Sequence, residues 1–162
     1  MIKKIFSFIL IAAFTLSVGI SLAQSGINKS AFYSAMASSK AALMDAQLSA
    51  LKNASGTDKE AFEGAMLMRK AGTLTIPAKK LALFKEGYRK LETAISKNPQ
   101  NVEYRFLRLM VQENAPRSLG YHKAISQDSK FIMENFKNLP ANTQNSIAGY
   151  SKNSKALAGV FN

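Results

Sequence analysis

Apolar positions along this chain follow two regimes. From Ile5 to Leu22 they run almost unbroken, IFSFILIAAFTLSVGISL, behind a basic Met1-Ile2-Lys3-Lys4 and ending in Ser21-Leu22-Ala23. A positive start, an apolar middle and small residues at positions −3 and −1 of a cut make the three-part layout of a secretory signal. Residues 1–23 are therefore read as a signal peptide cleaved between Ala23 and Gln24. The run is near the lower limit of roughly 17–25 residues for a spanning helix. Ser17, Gly19 and Ser21 dilute its second half, which argues for cleavage over permanent anchoring.

After residue 23 the apolar residues recur at helical spacing. A first helix is expected from Ser30 to Lys52, alanine-rich, with a ragged stripe of Phe32, Met36, Leu43 and Leu51. Thr57-Asp58-Lys59-Glu60 has the T-x-x-E form of a capping box and opens a second helix to about Ala71. Gly72 suits the left-handed position after a helix end. Pro77 suits the first position of a third helix. There Leu81, Phe84, Tyr88, Leu91 and Ile95 form one sustained stripe opposite Lys79, Lys85, Arg89 and Lys97.

Asn101 is placed to cap a fourth helix. Its Val102–Val111 stretch is apolar on most sides, the mark of a central element. A fifth helix from Lys123 to Lys137 carries Ile125, Phe131, Ile132 and Phe136, and a short last one surrounds Ile147 and Tyr150. The tail from Ser154 to Asn162 is expected to be weakly ordered, frayed or laid on the surface. Strand and hairpin signals are missing. The pattern predicts an all-α fold of five or six helices in antiparallel hairpins, one domain over residues 24–162.

Composition narrows the chemistry. The 162 residues include no cysteine, which excludes zinc–thiolate sites, iron–sulfur clusters, cysteine nucleophiles and a thioether-linked lipid anchor. An exported domain without disulfides must be held by packing. The net charge is +12, from 22 Lys+Arg against 10 Asp+Glu. Removing Lys3 and Lys4 with the leader leaves 20 − 10 = +10. That charge draws the domain towards anionic surfaces, but the cations are scattered singly or in pairs, as on an ordinary solvated surface.

The residues Gly87, Leu91, Ala94, Pro99 and Asn101 resemble the second half of a tetratricopeptide repeat entering the next one. Tyr104 falls one position from the bulky residue that opens a repeat, and Met68 to Ala78 lack the residues of the first repeat helix. The resemblance implies a tetratricopeptide-like helical core over about residues 77–137. The longer run from Leu83 to Asn135, with EYRFLRLMVQENAP and LGYHKAISQD, is similar to an uncharacterised family of small exported helical proteins of Gram-negative bacteria. That likeness implies export and a helical fold, and supplies no activity.

Catalytic motifs are scarce. His122 is the single histidine, too few for a histidine-built zinc site. With a serine and Asp128 or Glu134 it has the ingredients of a general base, yet a structural histidine at a helix start is the simpler reading. No G-x-S-x-G, Walker or G-x-G-x-x-G pattern occurs. Two carboxylates roughly 5–9.5 Å apart would suit a cell-envelope hydrolase, a separation that sequence does not supply. Cofactor and metal sites are not expected. Six methionines after the leader (Met36, Met44, Met66, Met68, Met110 and Met133) are read as core gap-fillers. Phe84, Tyr88 and Phe106 are read as core aromatics. Tryptophan is absent and aromatics do not interleave with basic residues, so nucleic acid is an unsuitable partner.

Arg105, Arg108 and Gln112 stand out, spaced to share one face of an otherwise apolar helix. Arginine forks suit carboxylates and phosphates. This face therefore either lines a groove that grips an acidic peptide or chain terminus, or pairs with Glu103, Glu113 or acids on a neighbouring helix. The expected function is a non-catalytic interaction module in the periplasm or outside the cell, not a lipoprotein, with another protein or peptide as partner. Attachment to an anionic envelope lipid or polysaccharide is the alternative binding reading.

Overall fold

A computed structural model describes residues 26–161. The expected leader, with its cut between Ala23 and Gln24, lies outside them. Within them the chain is all-helical: α1 Lys29–Ala37, α2 Ala41–Ala50, α3 Gly56–Ala71, α4 Pro77–Lys97, α5 Val102–Asn114, α6 Ile125–Asn135 and α7 Ala141–Ser151. Single 3-10 turns follow α2, precede α6 and follow α6. None of these helices is long and apolar enough to cross a membrane.

Seven helices stand where five or six were expected, because the first predicted helix is two. Ser38 is extended, and its Oγ accepts from Lys40 N at 3.0 Å, a local bond that competes with helix continuation. The α1 carbonyls released there are taken up from outside. Arg69 on α3 donates Nε to Met36 O at 2.7 Å and Nη2 to Ser38 O at 2.8 Å.

Two end signals also resolve differently from expectation. The capping box at Thr57–Glu60 does not form: α3 begins two residues earlier, with Ser55 in the cap position and no side-chain cap. Its acids are drawn to other helices. Asp58 accepts from Tyr104 Oη at 2.5 Å and Glu60 from Lys97 Nζ at 2.8 Å. Gly72 is right-handed, φ −60°, because the chain leaves α3 through successive tight turns that a left-handed residue would interrupt, Gly72 N to Arg69 O and Thr73 N to Lys70 O. Pro77 does open α4, and Asn101 Oδ1 does cap α5, accepting from Tyr104 N at 3.1 Å.

The α3–α4 antiparallel hairpin is the backbone of the fold. Gly64 and Gly87 meet at its crossing, where a Cβ on Gly64 would stand 2.7 Å from both Gly87 O and Leu91 N. Only glycine permits that approach. Glu63–Lys90 and Glu60–Lys97 pairs flank it. Across this hairpin lies α5, with Tyr104, Phe106, Leu107 and Leu109 fully buried, so the most apolar predicted helix is indeed central. Phe32, Tyr33, Phe62, Phe106 and Tyr150 form a continuous aromatic train from α1 through α3 and α5 to α7. Burying each of its fully covered rings, Phe32, Phe62 and Phe106, contributes about 1.5–3 kcal/mol.

Five of the six methionines named from sequence are buried, but Met133 is exposed on the outer side of α6. Tyr88 is likewise not core, standing 45% exposed. The tail, expected to be weakly ordered, is held down. Leu157 is fully buried, and Phe161 stacks on Phe136 with centroids 4.1 Å apart. Glu113 of α5 receives Lys155 N and Ala156 N, each at 2.9 Å.

Candidate functional site

The three residues singled out on α5 separate into two roles. Asp128 of α6 has 0% exposure and receives Arg108 Nε at 2.6 Å on one oxygen and Nη2 at 2.7 Å on the other. Arg105 Nη1 adds a third bond at 3.1 Å, while its other donors turn to Pro99 O. Arg108 Nη1 reaches Glu92 of α4 at 2.9 Å, and Glu92 accepts from Tyr121 Oη at 2.6 Å. Burial opposes the charge on Arg108, but the bonds and charge of Asp128 and then Glu92 outweigh it and raise its pKa.

Both forks are thus engaged by acids on neighbouring helices, and Arg108 at the same time lines a surface groove beside Glu92 and Tyr121. Four elements meet here: α4, α5, the α5–α6 connection and α6. A buried acid bound in this way fixes how the helices register.

The same device recurs at four tyrosines. Tyr33 donates to Glu103, Tyr104 to Asp58, Tyr121 to Glu92 and Tyr150 to Glu113. Each bond ties two segments distant in sequence. Burial first, and the adjacent carboxylate second, hold all four phenols above their ordinary pKa of 10.0.

Gln112 differs from its two neighbours in sequence pattern. It is 4% exposed, and its Oε1 is buried with no hydrogen-bond partner. His122 Nδ1 is in the same state. Leaving a buried polar atom unmet costs about 1–3 kcal/mol, and in folded proteins such atoms are met by an ordered water, an ion or a ligand. Both residues line one cleft of about 750 Å³, bounded by the ends of α1 and α5, by α3 and by the C-terminal tail.

A second feature lies on the other side of Gln112. Two grooves of about 430 and 520 Å³ share Leu81, Phe84 and Leu119 and so form one continuous surface along α4 and the α5–α6 connection. Leu81, Tyr88 and Leu119 stand 41%, 45% and 39% exposed there. Tyr88 and Phe84 each make an edge contact with Tyr121, which fixes the aromatic floor. Gly120 turns the chain beneath Tyr121 with φ +65°, a conformation that costs glycine little. Lys80, Lys85 and Lys123 rim the grooves, and none of them meets a carboxylate among the described residues. The acid on this surface, Glu92, is taken by Arg108 and Tyr121.

Sequence reading missed this face because the helical stripe through Leu81 and Tyr88 looks like core. The side of α4 that packs on α3 centres on Gly87 and Leu91, and Tyr88 lies beside it. Among the described residues, no group of three or more His, Asp or Glu side chains gathers as a metal site. No known protein family, curated protein or solved structure matches this chain.

Proposed function

We propose that the protein is an exported, non-catalytic interaction module acting in the periplasm or outside the cell, and that it docks a partner protein on the α4 face. One observation carries the reading. Three large apolar side chains, Leu81, Tyr88 and Leu119, stand exposed side by side over two linked grooves, inside a rim of lysines without acid partners. Apolar patches rimmed by charge mark interaction surfaces. The unbalanced positive rim selects an acidic amphipathic segment, apolar on one side and carboxylate-bearing on the other.

Export is supported by the leader-like residues 1–23, and the lack of cysteine speaks against lipid anchoring. The Asn101 turn from α4 into α5 supports the tetratricopeptide-like core expected over about residues 77–137, and the close Gly64–Gly87 crossing would add α3 to it. Groove binding is the common use of such arrays, and that step is analogy from fold.

The test places a photo-crosslinking amino acid at Leu119 and, separately, at Met133 on the outer side of α6, in cells that make the protein. An acidic protein trapped from Leu119 but not Met133, whose purified form loses at least ten-fold affinity to Leu81→Asp and weakens with salt, supports the proposal. Cross-linking that is equal at both positions overturns it. So does binding to phosphatidylglycerol vesicles that Leu81→Asp abolishes with no protein partner trapped, which would make this face a lipid-binding surface.

A further inference from the structure

We infer that the cleft behind Gln112 is a second binding site, distinct from the α4 face, for an N-acylated amino acid carboxylate such as the C-terminal residue of a peptide. Its charge is one-sided. Arg69, Arg117 and Lys155 line it, and Glu113 is the one acid that does. That acid is already saturated: Tyr150 Oη, Ser154 Oγ, Lys155 N and Ala156 N all donate to it, between 2.7 and 2.9 Å. None of the three cations has a carboxylate partner among the described residues. Arg69 spends Nε and Nη2 on backbone carbonyls, which fixes its guanidinium and leaves Nη1 uncommitted. The cleft is therefore furnished for an anion that the protein itself does not provide.

The unmet atoms specify the rest. Gln112 Oε1 is an acceptor with almost no accessible surface, so a ligand that reaches it as the side chain shifts brings an N–H or O–H, which a bare carboxylate or phosphate lacks. His122 Nδ1 meets either an N–H or a carbonyl, depending on its tautomer. An acylated amino acid presents an amide C=O, then its N–H, then a carboxylate, in that order along three bonds. Met36, Met110 and Ile125 supply an apolar wall for its side chain. Methionines adapt to side chains of different shape, so the site reads the terminus more strictly than the residue. A free peptide and a protein C-terminus share this chemistry.

N-acetyl-leucine is the probe, titrated into isotope-labelled protein and followed by NMR. It is expected to shift the Gln112 side-chain amide and the His122 ring signals. N-acetyl-leucinamide, which lacks the charge, and N-acetyl-N-methyl-leucine, which lacks the N–H, should each bind at least ten-fold more weakly. Arg117 and Lys155 are exposed, so Arg117→Gln with Lys155→Gln keeps the fold and should lose at least ten-fold in affinity. A Lys130→Gln control on α6 should lose nothing. If the two analogues bind as well as the probe, if only signals around Leu81 and Leu119 move, or if Gln112 and His122 stay silent throughout the titration, the inference is wrong. A decapeptide ending in leucine and its C-terminally amidated form then separate a peptide terminus from a free amino-acid derivative. Selection of the acid over the amide supports the terminus, and rejection of both overturns it.

Discussion

Asp128 is fully buried with both carboxylate oxygens on the guanidinium of Arg108, at 2.6 and 2.7 Å. The pair joins α5 to α6, and through Glu92 it extends to α4. Breaking one side of a buried pair strands a charge at a cost of about 3–5 kcal/mol, whereas replacing both sides with apolar residues is often neutral. Arg108→Ala should therefore destabilise the domain by about that amount in urea unfolding, and Arg108→Met with Asp128→Leu should recover most of it. A loss under about 1 kcal/mol in the single variant would remove the structural role assigned to the pair.

The Gly64–Gly87 crossing makes a separate demand on stability. A methyl group at either position meets backbone atoms of the other helix, which cannot swing aside as a side chain does. Gly64→Ala and Gly87→Ala should each cost at least the roughly 1–3 kcal/mol of an overpacked core. Gly149 in α7 has open space around its Cβ position, so Gly149→Ala should be neutral or stabilising by up to about 1 kcal/mol. Equal thermal midpoints for all three variants would contradict the close packing of α3 on α4.

Glu113 governs the tail. Glu113→Gln keeps the shape and removes the charge that four donors share, and hydrogen bonds to a charged group contribute about 1.5–3 kcal/mol each. Trypsin should then cut at Lys152 and Lys155 much faster than in the unaltered protein, with the helical circular dichroism nearly unchanged. Glu134, exposed and 3.9 Å from Lys130, is the control. Glu134→Gln should leave both the cleavage rate and the stability, within about 0.5 kcal/mol, as they were.

Alkaline pH should act through four phenols, of which Tyr33, Tyr104 and Tyr121 are buried and Tyr150 half-buried. Their folded pKa values lie above the ordinary 10.0, so the folded state holds protons that the unfolded state releases. Their contribution is complete below about pH 10 and is lost as pH climbs through the raised values. Tyr33, Tyr104, Tyr121 and Tyr150 should form phenolate only together with unfolding, seen as coincident changes in phenolate absorbance and circular dichroism. Phenolate from these four appearing while the helix signal is intact would contradict the four tyrosine–carboxylate bonds.

The sequence by itself determined the helices that periodicity and stop signals mark. Pro77 acts through its fixed backbone geometry and Asn101 through a cap bond to Tyr104 three residues on, so both are readable without the fold, and the apolar circumference of Val102–Val111 places α5 at the centre wherever its neighbours lie. It also brought Arg105, Arg108 and Gln112 forward as an odd group on that helix. Tertiary structure decided what each does, because partners for an arginine are set by which helix packs opposite, and Asp128 lies 20 residues from Arg108. The same holds for Thr57 and Gly72, whose local signals were overruled by contacts with α4 and α5 and by the tight exit from α3. Exposure of Leu81 and Tyr88 was hidden for a related reason. A helical stripe shows which residues share a face, and only the placement of the neighbouring helices shows how much of that face is covered.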